Sequence, residues 1–433
     1  MSAHYTDKLL NFISAGPSPW HACAEVERQL LAEGFTAFDE AAEKWHSSAG
    51  TRGYTIRSGS SIIAFRMGDK PPAETGFRVL SAHLDSPCLR VTPLPERQLF
   101  GCASLALDIY GSPIIATWAD RDLGFSGRVS VSSEQQPLEI ETLLLSVNRP
   151  ICRISSLAIH LNRKVNEDGL KLHKHAHLPA IWGLGSGSRN VEEGRFRDFL
   201  AAELDLPSER VLGWELCLHD LQAPVVSGRD DEFIHAPRID NLGCSYAALS
   251  ALLRSLEEPS ETTQVIALYD HEEIGSTTDR GAGSSFTRDV LTRLAGTNPR
   301  DLSRAIHHSA ALSADMAHAV HPNHPEKHDG HHNPILGGGP VLKTNSSWRY
   351  ATDATTMGLV RALAASANIP LQEFVCRRDM RCGSTVGPIV AADLGIKSAD
   401  VGAPMLSMHS IREMSSGQDC EQLSRLLTSF LSW

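Results

Sequence analysis

Five side chains of metal-binding type occur in the order His83, Asp240, Glu273, Asp315 and His409. Each lies at or near the end of a strand-like apolar run or at the start of a helical one. Two neutral imidazoles and three carboxylates make a mixed nitrogen and oxygen donor set, suited to zinc or a similar first-row metal without any thiolate. If Asp240 bridges, each of two metals has three protein ligands and an open position, which is what a catalytic metal requires. Asp85, two residues after His83, is the candidate for fixing that imidazole's tautomer and aim. Glu272 and Glu273 end a buried strand side by side and point in different directions. One can therefore bind metal while the other serves as a base.

Taken singly, each of these residues has an ordinary structural role open to it. His83 and His409 can be strand-end histidines, Asp240 can cap the helix that follows it, and the acidic pair can be a solvated turn. It is the set, in one order along the chain, that points to a metal site. A histidine-rich stretch, with His307, His308, His318, His321, His324, His328, His331 and His332, competes for the same reading. Its interleaved Pro322, Pro325, Gly330 and Pro334 describe an irregular surface loop, so the metal is placed at the five dispersed residues.

Positioning those residues requires strands and helices at the two outer parts of the chain. The pattern predicts helices over residues 6–15 and 18–33, strands over 61–66 and 77–82, and a helix from 241 to 256. A buried strand over 264–269, a helix over 352–367, a strand over 371–376 and a closing helix over 419–431 follow. Between about residues 91 and 227 the texture changes to short alternating stretches such as 127–132 and 156–161, with a Gly- and Ser-rich loop over 182–189. The expected architecture is an α/β domain, residues 1–90 and 236–433, interrupted by a β-rich insertion, 91–235. In such sheets ligands sit beyond the carboxyl ends of the strands.

With 433 residues, 42% hydrophobic and 21% charged, the chain has the composition of a folded soluble enzyme. A net charge of −11 and the lack of a basic stripe with interleaved aromatics argue against nucleic acid as a partner. No apolar run near the N-terminus has the length of a signal peptide or membrane span, so a cytoplasmic protein with no membrane partner is expected. Nine scattered cysteines without a Cys-x-x-Cys pair read as reduced, mostly buried thiols.

Several segments together resemble the aspartyl aminopeptidases and vacuolar aminopeptidase I, a branch of the cocatalytic zinc exopeptidases. They are Ser81-Ala82-His83-Leu84-Asp85-Ser86-Pro87, residues 238–242, 270–276 and 313–323, Arg349-Tyr350-Ala351-Thr352, and residues 407–413. The resemblance covers essentially the whole chain. It implies a zinc-exopeptidase-like α/β sandwich with a mixed central sheet, and a smaller, mostly β domain that mediates dimerisation, the dimers forming a tetrahedral dodecamer. It further implies two divalent ions per subunit, zinc by family habit. His83 and Asp315 would hold one ion, Glu273 and His409 the other, and Asp240 would bridge. Glu272 falls at the general-base position and Asp85 at the orienting one. Lys343 and Tyr350 match substrate-pocket positions. His160 matches a histidine that reaches substrate from a neighbouring subunit, with a structural β-strand histidine as the competing reading. Two departures are His271, where asparagine is common, and Ser347-Trp348, where polar residues usually stand.

The resulting expectation is hydrolysis of the N-terminal peptide bond of peptides with a free N-terminus, with Lys343 favouring an acidic first residue. Alternatives are a neutral or apolar preference tilted by Trp348, a two-metal deacylase, and an inactive assembly scaffold.

Overall fold

The computed structural model describes residues 2–136, 138–185, 195–296 and 298–433. Two compact units divide the chain. The first comprises Met1–Asp85, Pro224–Met408 and Glu413–Trp433, the second Ser86–Ala223 and His409–Arg412.

In the first unit, four parallel strands run side by side in the order Thr263–Tyr269, Phe77–His83, Ala310–Ala314 and Lys397–Gly402. Antiparallel neighbours, Ser61–Arg66 on one flank and Val341–Thr344 on the other, extend them into a mixed sheet of nine strands among the described residues. Side chains alternate across such strands. Leu80, Ala82, Ile266, Leu268 and Leu312 pack on one face with the helices Ile239–Ser255 and Gly417–Leu431. Phe77, Val79, Val265, Ala267 and Ala311 pack on the other with Phe286–Ala295 and Val386–Leu394. Burial on both faces is why these strands read as continuous apolar runs rather than alternating ones. The result is an α/β sandwich.

Helix ends follow local chemistry. Ser18 accepts the backbone N–H of His21 at 3.4 Å, with Pro19 opening the helix. The helix expected from residue 352 begins at Ala354 because Asp353 and Thr356 form a capping box.

The second unit holds an antiparallel sheet of six strands among the described residues, from Ile140–Cys152 through Leu123–Ser132 and Val211–Asp220 to Cys88–Leu99, Cys102–Tyr110 and Ala180–Leu184. Phe196 on the helix Arg195–Glu203 packs against it, with ring centroids 5.7 Å from Phe125 and 5.4 Å from Trp214. Two local expectations change. Residues 156–161 form no strand; Leu161 N–H closes a turn onto Ala158 at 2.9 Å. Of the expected loop over 182–189, residues 182–184 belong to a strand, and residues 186–189 lie outside the described residues.

Candidate metal centre

Parallel register brings the site together. Tyr269 is level with His83, so Glu272 and Glu273 leave their strand beside the end of the strand that carries His83. Ser313 is level with Ser81 on the other side, which puts Asp315 at the height of His83. Beyond Tyr269 the chain turns sharply through His271 at φ 65° into a short 3-10 turn, Glu272–Ile274. Asp270 braces the turn, accepting Ser60 Oγ at 2.6 Å and the His271 N–H at 2.9 Å.

Asp85 is fully buried and holds both sides of the site. Its two carboxylate oxygens accept the backbone N–H groups of Glu272 and Glu273, at 3.2 and 3.1 Å. His83 Nδ1 stands 3.0 Å from the Asp85 carbonyl oxygen and 3.3 Å from Asp85 Oδ1. Both partners can only accept, so Nδ1 carries a proton, and Nε2 faces Asp240 Oδ1 at 3.7 Å and Glu272 Oε2 at 4.0 Å. A metal shared by the imidazole nitrogen and the carboxylate oxygens would take the place of the Nε2 proton.

Asp240, with φ −82° and ψ 107°, and Asn241 break the helical geometry near the start of the span Ile239–Ser255, so the regular helix begins after them. The Asp240 N–H donates to Glu413 Oε2 at 2.9 Å, and Asn241 Nδ2 donates to the Ala314 carbonyl at 2.9 Å, tying this segment to the strand end before Asp315. Donor atoms of His83, Asp240 and Glu273 all lie within 4.8 Å of one another, the group of metal-ligand type found among the described residues. The histidine-rich loop forms no such group there.

The electrostatics describe a site with too much negative charge. Burial first, then Asp315, Glu273 and Asp85, push the Glu272 carboxyl up to about 9 against the pull of His83. Burial pushes Asp315 up to about 6, with Asp240 and Asp400 adding and Lys343 opposing. Burial disfavours a charged His83, yet the bond to Asp85 and the nearby carboxylates outweigh it and hold its pKa well above the usual histidine value. Added positive charge relieves all of these strains together. Donor types and electrostatics therefore fit a divalent metal of the zinc class.

Lys343 is 2% exposed. Its ammonium donates to the Met316 carbonyl at 2.9 Å, lies 3.8 Å from Asp315 Oδ1 and sits over the Tyr350 ring at 5.3 Å. It is thus a counter-charge for Asp315. Tyr350 opens instead onto a cavity of about 280 Å³ whose walls include His318, Lys327, Arg377, Met380 and Arg381. The Ala351 N–H is held by Asp400 Oδ2 at 2.6 Å, which fixes the Tyr350 segment.

Two expected site residues belong to the second unit. His409, at φ 67°, points Nδ1 at the Ser112 carbonyl 3.1 Å away, so Nδ1 carries the proton and Nε2 the lone pair. His160 is exposed in a turn, which removes the reading of a structural strand histidine.

Sequence reasoning missed Glu413, Asn241, Asp400 and the cationic wall formed by Lys327, Arg377 and Arg381. Glu413 sat within a quoted segment, but nothing local pairs it with an amide 173 residues away.

A family model for the aminopeptidase I zinc metalloproteases (M18) matches residues 12–431. A protein of Stutzerimonas stutzeri described as "Probable M18 family aminopeptidase 2" is 44% identical over 98% of this chain and 97% of its own. Among solved structures, a cryo-EM structure of a complex of Ape4 and Nbr1 superposes with a TM-score of 0.95 at 33% identity, over 100% of this chain and 86% of the other. The mApe1 dodecamer of S. cerevisiae gives 0.84 at 28% identity, over 98% and 95%. No helix among the described residues is long and apolar enough to cross a membrane.

Proposed function

The chain belongs to the aminopeptidase I zinc metalloprotease family and is a zinc-dependent aminopeptidase, and from that premise we propose that it uses two metal ions per subunit to release acidic residues from the N-termini of peptides. The observation that carries the reading is the group of buried His83 and Asp240 with half-buried Glu273, and the Glu272 carboxylate beside it. His83, Asp240, Glu273 and Asp315 would hold the metal, with His409 entering on the sequence resemblance. Bound there, the metal supplies Lewis-acid polarisation of the scissile carbonyl and an acidified water.

The protein's own residues do the rest. Glu272 Oε2 takes the proton of the attacking water and returns it to the leaving amine. Asp85 keeps Glu272 and His83 aimed through its hydrogen bonds. Lys343 balances Asp315, and Tyr350 forms the wall between that pair and the cavity.

The acidic preference is supported by Lys327, Arg377 and Arg381 in the cavity wall, since Lys343 is already engaged. Trp348, 58% exposed, gives the apolar alternative little support. A homo-oligomer, a dodecamer built from dimers of the β-rich unit, is supported by the S. cerevisiae relative and by Leu157, Ile159 and Leu161. These are 58, 46 and 74% exposed around His160, as expected of a segment that a neighbouring subunit covers. In that assembly His160 contacts substrate bound by the neighbour.

Hydrolysis of Asp, Glu and Leu aminoacyl substrates by the wild type and by Arg381→Ala tests the specificity. Asp and Glu should lead, and the variant should lose them selectively. A wild type that prefers Leu sinks the acidic reading and leaves the metal chemistry standing.

A further inference from the structure

Two cysteines stand in the wall of the same cavity. Cys376 follows the strand Gln372–Val375 and Cys382 closes the loop before the helix Val386–Leu394. Both thiols line the cavity with Tyr350 and pack on the small apolar cluster of Ala317, Val341, Tyr350 and Phe374. Both are half-buried, so small solutes reach them. The two thiols are close enough to perturb each other, and Cys382 is likewise close to Tyr350. Cys376 Sγ also lies 3.9 Å from the Met380 carbonyl across the loop.

We propose that Cys376 and Cys382 are an oxidisable thiol pair in the substrate-pocket wall, closed to a disulfide by hydrogen peroxide and thereby reducing peptidase activity. The chemistry needs hydrogen peroxide and nothing else. The Cys382 thiolate attacks the peroxide oxygen, breaking the O–O bond to give a sulfenic acid and, after protonation, one water. Cys376 sulfur then attacks the sulfenic sulfur, the S–S bond forms, and the hydroxyl leaves as a second water. Two thiols lose two electrons and two protons, and the peroxide is reduced to two waters.

Cys382 is assigned the first attack because burial pushes the Cys376 thiol up to about 11, with Cys382 adding to the rise. Seven residues, from 376 to 382, would close into a ring through a loop without regular structure. A bond from Cys382 to Cys376 constrains the loop beside Tyr350, whose ring borders both the cavity and Lys343. The Asp315 side of the site is thus coupled to the oxidation state of the loop.

The activity arm of the test rests on the proposed peptidase; the mass arm does not. The metal-loaded, full-length protein is treated with hydrogen peroxide, and its peptides are mapped without reduction. The expected product is a Cys376–Cys382 link with the loss of two hydrogens, a several-fold fall in kcat/KM on an N-terminal Asp substrate, and recovery with dithiothreitol. Peptide mapping separates this from a second pair of neighbouring thiols, Cys88 and Cys217, which are buried. Cys376→Ala and Cys376→Ser are each compared with their own reduced form and should lose the reversible inhibition. Three results overturn the proposal: no 376–382 link on oxidation, a link that leaves kcat/KM unchanged, or reversible inhibition that persists in both variants. A protein that forms the link but hydrolyses no peptide even when reduced overturns the peptidase reading, and with it the link between oxidation and activity.

Discussion

The Asp85 carboxylate accepts the backbone N–H groups of Glu272 and Glu273, and Asp85 also accepts from His83 Nδ1, so one residue orients three residues of the proposed site. Glu272 is the residue among them whose loss should be purely chemical. Glu272→Gln keeps the shape and removes the base; turnover should fall by roughly 10²- to 10⁴-fold with metal content unchanged. Unchanged turnover in a metal-replete variant removes Glu272 from the base role. Lys343 makes a contrasting prediction. Its ammonium is the cation beside a buried Asp315, so Lys343→Met should cost about 3–5 kcal/mol of stability in denaturant unfolding by leaving a buried charge without its counter-charge. A residue that served only to greet substrate would alter KM and leave the unfolding curve in place.

At the scale of elements, the site is a property of strand ends. Four parallel strands stop at one edge of the sheet, and the turns beyond them carry His83, the acidic pair and Asp315. The segment with Tyr350 is held in another way, through buried Asp400 on the strand Lys397–Gly402, which also accepts from Thr385 at the start of the helix Val386–Leu394. Gly387 is where that helix passes Asp400, and a Cβ there would lie 2.6 Å from both carboxylate oxygens. Gly387→Ala should therefore destabilise by about 1–3 kcal/mol, as overpacking does, and raise KM by displacing Tyr350. A melting temperature and KM equal to the wild type would show that Asp400 moves aside without consequence.

At the scale of the whole molecule, the charge imbalance at the centre becomes a dependence of stability on pH. Glu272, Asp315 and His83 all have folded pKa values raised above those of the unfolded chain. At these three groups the folded, metal-free protein binds more protons than the unfolded one, so their contribution to stability falls as pH rises. For Asp315 the loss runs from about pH 4 to about 6, and for Glu272 from about pH 4 to about 9. Thermal midpoints of the chelator-treated protein should drop across this window. Zinc should raise them, most strongly at the alkaline end, because binding to the folded state alone adds stability by mass action. A metal-free midpoint that stays level or rises from pH 5 to 9 contradicts this account.

The sequence by itself determined the residue types of the centre and the elements that carry them. Apolar runs bounded by Gly and Pro, and residues such as Ser18 at helix starts, act over a few positions and are legible locally. It also kept the metal away from the histidine-rich loop, where no ligand group forms among the described residues. Tertiary structure alone decided that Asp240 stands at a kink ahead of the regular helix, that Glu413 holds its amide, and that Lys343 faces Asp315. It likewise brought Arg377, Arg381, Cys376 and Cys382 to one cavity. These pairings join residues far apart in sequence, on separate strands and loops, and only the packing of those elements brings them together.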